Sequence, residues 1–67
     1  MRITLNRQEE VIPGDQLTIR DILKFKNFSF PNLVVRINGK LVKKPDYDTA
    51  IAKEGDFVEI IHLISGG

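Results

Sequence analysis

The 67-residue sequence has no cysteine. It therefore holds no disulfide, no thiolate metal site and no cysteine nucleophile. Histidine occurs once, at His62, with no Ser–Asp arrangement to make a catalytic triad, so it reads as a surface or core-edge residue. Neither sign of charge dominates: ten basic residues face nine acidic ones, for a net charge of +1. That balance gives no electrostatic footprint for nucleic acid or an anionic membrane. No apolar run approaches the roughly 18 residues of a membrane span. No basic-plus-apolar signal segment opens the chain, and a cytoplasmic location is expected. Glycine-rich phosphate-cradle spacing is missing, so ATP is not expected to bind this chain. Asp46, Asp48, Glu54 and Asp56 lack the spacing of a calcium loop and read as solvated turn acids, with no metal expected. Internal repeats and low-complexity segments are absent. A chain this short makes one domain and buries only about 60% of its unfolded surface. Its core is too small to enclose a substrate and a full catalytic set.

What remains is a pattern of short elements. "MRITLN" alternates Met1, Ile3 and Leu5 with polar residues, the mark of a half-buried strand. "RQEEVI" follows after a turn at Asn6-Arg7-Gln8 and reads as its antiparallel partner, Glu9 and Glu10 forming a polar strand face. Pro13-Gly14-Asp15 breaks the pattern. "TIRDILKFKN" reads as a helix, with Thr18 and Asp21 spaced for a capping box. Ile19, Ile22 and Leu23 share one face, and Phe25 and Phe28 are expected to pack as well. "LVVRIN" is more continuously apolar, as an interior strand is. Asn38-Gly39 suits a two-residue hairpin turn, so "KLVKK" returns as a short, lysine-rich edge strand. Residues 45–52 form a connector, and "FVEIIHLI" is the last strand.

The order is strand, strand, helix, strand, strand, strand. A single helix must then cover one face of a mixed sheet. The expected class is α+β, a ubiquitin-like β-grasp of about five strands packed on one helix, with a five-strand split barrel as the alternative. Residues 1–64 would form the domain and 65–67 a flexible tail ending in Gly66-Gly67. At roughly 7% glycine usage, a chain ends in two glycines by chance roughly 0.5% of the time.

The pieces Asn38-Gly39, Gly55-Asp56, the strand from Phe57 to Ile64 and Gly66-Gly67 resemble, in order and spacing, the ThiS-type sulfur carriers of thiamine biosynthesis. The first half matches too, through Pro13-Gly14-Asp15 and Ile22-Leu23. The resemblance implies that the Gly67 carboxylate is adenylated and converted to a thiocarboxylate. Gly66 and Ser65 would give the tail clearance in a partner's channel, with Ile64 and Ser65 as its lead-in. The implied partners are a ubiquitin-activating-like adenylyltransferase, which uses ATP and magnesium, a sulfur donor, and an acceptor such as thiazole synthase. The chain itself would be a cosubstrate, not an enzyme, and monomeric when free. Carriers for tRNA thiolation or molybdopterin synthesis, and ubiquitin-like modifiers, share the same tail.

A carrier needs a docking face. Glu59 is not expected to sit unpaired in so small a core. Period two then turns Phe57, Ile61 and Leu63 outward beside it, and Val58 and Ile60 inward. The outward trio, with Ile64 after it, is a candidate partner surface, unless Leu41 or a loop covers it. His62 falls inward, where the core thins. Arg36, Lys40, Lys43 and Lys44 read as a basic region near the hairpin. With Phe25, Phe28 and Phe30 it would make a weak RNA-binding candidate; an acidic partner face suits it better.

Overall fold

The computed structural model describes residues 1–28 and 32–63. Strand β1, Arg2–Leu5, and β2, Gln8–Val11, form a hairpin closed by Asn6 and Arg7, both at positive φ (50° and 69°). Two positive φ values in a row match the twist of the flanking strands. A short strand β3, Gln16–Thr18, leads into helix α1, Ile19–Phe25. Strands β4, Leu33–Ile37, and β5, Lys40–Val42, make the second hairpin, turning at Asn38 and Gly39 with φ of 51° and 83°. A 3-10 turn at Lys44–Asp46 is followed by β6, Ile51–Lys53, and β7, Phe57–His62.

Five strands join in the order β2-β1-β7-β4-β5. The first and last strands, β1 and β7, run parallel; the other pairs are antiparallel. The helix and sheet enclose one core of Ile3, Leu5, Val35, Val58 and Ile60 from the sheet and Ile19, Ile22 and Leu23 from α1. β4 is interior, as its apolar run implies, and β5 is the edge. The β-grasp layout expected from the element order is the one observed.

Two strands were not foreseen. β3 and β6 pair in a separate ribbon, with Leu17 opposite the fully buried Ala52. Three-residue strands, Gln-Leu-Thr and Ile-Ala-Lys, are too short to show an alternating pattern of their own. Their connector also does part of the work assigned to the helix alone. Tyr47 is buried in the core, and the carbonyls of Ala50 and Tyr47 accept from Ile19 N (3.0 Å) and Arg20 N (2.9 Å). Those are donors that a helix's first turn leaves without an internal partner. The Thr18 capping box is present: Asp21 N donates to Thr18 Oγ1 at 3.1 Å, and Thr18 N to Asp21 Oδ2 at 3.4 Å. At the other end Asn27 takes φ of 58°, and Phe28 N and Asn27 N donate back to Leu23 O and Lys24 O. This is a Schellman stop.

Phe25 does not pack as expected; it is exposed. The inward face is centred on Ile19, Ile22 and Leu23, and at about 100° per residue Phe25 falls off its flank. Lys26 takes the neighbouring slot and pairs with Glu10 at 3.0 Å. Phe28 does pack against the core, and Phe30 lies outside the described residues.

Candidate functional site

Alternation along β7 separates two jobs. Val58 and Ile60 are buried at 0% and 5% exposure, while Phe57 and Ile61 stand at 43% and 40% on the opposite face. Leu63, just past the strand, is 52% exposed. The sheet has core on one side only, so every second side chain of its central strand faces out. His62, on the inward parity, is exposed where the core ends.

Neighbouring strands widen this outer face. Val34 lies opposite Ile61, and Arg36 opposite both Glu59 and Leu41. Leu41 is exposed and does not cover the trio; it extends the apolar surface onto β5. A groove of about 470 Å³ runs beside it, lined by Leu33, Val34, Leu41, Val42 and Tyr47, with Lys43 and Lys44 at its rim. Arg36 is part of this face, next to the hairpin lysines. Its Nε lies 3.2 Å from Glu59 Oε1 without a hydrogen bond of its own. Both side chains are partly exposed, so the pair contributes little stability. Its effect is to place one compensated charge pair in the middle of an apolar surface.

Two asparagines hold β7, a role that sequence reading assigned only to turns. Asn38 binds its start: Phe57 N donates to Asn38 Oδ1 at 2.9 Å, and Asn38 N to Phe57 O at 2.7 Å. Asn6 binds its later half: Ile60 N donates to Asn6 Oδ1 at 2.8 Å, and Asn6 Nδ2 to Ile60 O at 3.0 Å.

The acidic residues of the turns are engaged locally. Asp56 accepts from Lys53 N and Asn38 Nδ2, Glu54 accepts from Arg2 N, and Asp48 binds Arg20 Nε at 2.7 Å. That hydrogen bond, with the attraction of the Asp48 charge, raises the Arg20 pKa above its ordinary value. Among the described residues no group of three or more His, Asp or Glu side chains converges as a metal site, and no polar side chain is buried. No helix is long and apolar enough to cross a membrane. The remaining candidate positions, Ile64, Ser65, Gly66 and Gly67, lie outside the described residues. The structure thus brings Phe57, Glu59, Ile61 and Leu63 together on one face, along the strand that runs toward them.

The ThiS family model matches residues 1–67. The chain is similar to the crystal structure of the thiamine biosynthesis protein ThiS from Geobacter metallireducens. Identity is 25% with a TM-score of 0.87, over 100% of both chains. A solution structure of a thiamine biosynthesis protein from the same organism gives 25% identity and a TM-score of 0.80, covering all of this chain and 88% of that one.

Proposed function

The chain belongs to the ThiS family, and from that premise we propose that it carries sulfur as a thiocarboxylate on Gly67, for thiazole formation in thiamine biosynthesis. The observation that carries the reading is the family match over the whole chain, Gly66-Gly67 included.

A free carboxylate resists attack because its charge repels nucleophiles and its leaving group is oxide. Adenylation removes both obstacles. A Gly67 carboxylate oxygen attacks the α-phosphate of ATP and releases pyrophosphate. A sulfur nucleophile then attacks the acyl carbon and displaces AMP. Where that nucleophile is hydrosulfide, loss of its proton leaves the thiocarboxylate; where it is a persulfide, a thiol must then reduce the S–S bond of the acyl disulfide to release it. This chemistry takes place in the pocket of a ubiquitin-activating-type adenylyltransferase, which supplies the ATP and magnesium site. Gly66 permits close passage because it has no Cβ, and Ser65 and Ile64 lead in. Residues 1–64 act as the docking domain and 65–67 as the tail. Phe57, Ile61 and Leu63 dock on the partner, an apolar surface whose burial gives association its driving force. The chain is then a cytoplasmic cosubstrate, consumed at an acceptor synthase and regenerated, and monomeric between partners.

The test is mass spectrometry of the chain after incubation with the adenylating enzyme, ATP, magnesium and a sulfur source. With no cysteine in the sequence, a thiol-alkylating reagent marks only a terminal thiocarboxylate. Label on the fragment ending in Gly67 is expected, and deletion of Gly67 should abolish it while the domain stays folded. Adenylation without label, followed by lysine-linked conjugates, would identify a ubiquitin-like modifier instead. Labelled carrier that fails to support thiazole formation would point to tRNA thiolation or molybdopterin synthesis.

A further inference from the structure

Ile60 has a backbone problem that β4 does not solve. In the β4–β7 ladder Ile60 lies opposite Val35. The cross-strand bonds fall at the flanking positions: Asn38 N reaches Phe57 O at one end and Leu63 N reaches Asn32 O at the other. By antiparallel alternation, the N–H and C=O of Ile60 point away from β4. Strand β1 lies on that side and serves the earlier positions, through Thr4 N to Asp56 O (3.0 Å) and Asn6 N to Val58 O (2.9 Å). It then turns back at Asn6 and Arg7. A continuing parallel ladder would join Ile60 N to the Asn6 carbonyl and the N–H of residue 8 to Ile60 O, and the turn takes both away.

The Asn6 side chain fills the rung. Its amide donates to Ile60 O and accepts from Ile60 N, the pair of bonds a continuing strand would make. Glycine would satisfy the φ of 50° at this turn position at no steric cost, but it would leave both Ile60 groups without this partner. Beyond Ile60, β7 is held on the β4 side through Leu63 N. Ile61 and Leu63 of the outer face follow directly.

We propose that Asn6 is a positioning residue for the carrier reaction: its amide clamps Ile60 and so presents the docking side chains Ile61 and Leu63 in one orientation to the adenylating enzyme. The inference rests on the sulfur-carrier reading. Without the clamp, the end of β7 is held from the β4 side alone, and the cost of restoring its fixed position falls on association. Once docked, the chemistry at Gly67 is unaffected.

The experiment compares Asn6→Gly with Arg7→Gly. Both relieve a positive-φ position of the same turn, but only the first removes the amide. Two quantities are read: exchange of the Ile60 amide proton by NMR, and pyrophosphate release by the adenylating enzyme with ATP and magnesium as carrier concentration is varied. For Asn6→Gly, faster Ile60 exchange and a KM raised about tenfold are expected, the scale of one or two lost hydrogen bonds, with kcat within about twofold. Arg7→Gly should match the wild type in both. Asn6→Asp, which keeps the acceptor for Ile60 N and loses the donor, should give an intermediate KM and covers the case in which the glycine variant folds poorly. An unchanged KM in both Asn6 variants despite faster exchange, unchanged exchange, or equal effects from Arg7→Gly would each overturn the inference while leaving the carrier reading intact. A wild-type chain that supports no pyrophosphate release would overturn the carrier reading and this inference with it.

Discussion

Ile60 and Ile61 are the same residue type one position apart, and the sheet gives them opposite jobs. Ile60 is 5% exposed and Ile61 is 40% exposed. Truncating Ile60 to alanine removes buried methylenes and leaves a cavity, which costs about 2–5 kcal/mol; chemical denaturation should show the loss. Ile61→Asp changes a side chain already half in water, where substitutions usually stay within about 0.5 kcal/mol. It should leave the unfolding midpoint nearly unchanged while weakening binding to the adenylating enzyme, measured by calorimetry. Unfolding by Ile61→Asp would show that this face is core. The split was legible because Glu59 fixes the parity of the strand. The second role of Asn6 was not. Its place beside Arg7 is fully explained by turn chemistry, and its other partner lies 54 residues away in the sequence. The pairing of Arg36 with Glu59 was hidden for the same reason: it crosses the sheet between residues far apart in the sequence.

Helix α1 has only seven residues, well short of the roughly 12–15 at which an isolated helix becomes even marginal. Its ends therefore matter more than its propensity. The N-terminus is satisfied by Thr18, Asp21 and the connector carbonyls, and the C-terminus by the turn at Asn27. Thr18→Ala removes the hydroxyl acceptor for Asp21 N, and loss of such a cap costs about 1 kcal/mol. For a domain of this size that lowers Tm by about 4–8 °C, which calorimetry can read; Thr18→Ser should keep most of the stability. The cap was visible in the spacing of Thr18 and Asp21. The ribbon of β3 and β6 was not, because its pairing joins residues more than thirty positions apart and its fragments are too short to show a period. Phe25 failed differently: an aromatic near a helix end looks like core, and only the observed helix phase turns it outward.

At the scale of the whole molecule, the open sheet has two edges, β2 and β5. An uncovered edge offers backbone groups to any other chain in extended form, and lysine is a common defence. Lys40 lies on β5, with Lys43 and Lys44 just beyond it, and none of the three has an ion-pair partner among the described residues. They flank Leu41, an exposed apolar residue on the sheet's open face. Two copies meeting edge to edge there would bring like charges together. Replacing Lys40, Lys43 and Lys44 with threonine should therefore promote self-association, seen as rising light scatter with concentration. The fold should persist, since all three side chains are exposed and threonine suits the strand at position 40. The substitutions also take the net charge from +1 to −2 (ten basic residues less three, against nine acidic), and a change in net charge can by itself alter self-association. A second triple variant, Arg2, Arg7 and Lys24 to threonine, removes the same charge from exposed positions off this edge. If scatter rises only for the β5 variant, the lysines act locally, as guards of the edge. Equal scatter from both would assign the effect to total charge and leave β5 with no special part in keeping copies of the chain apart.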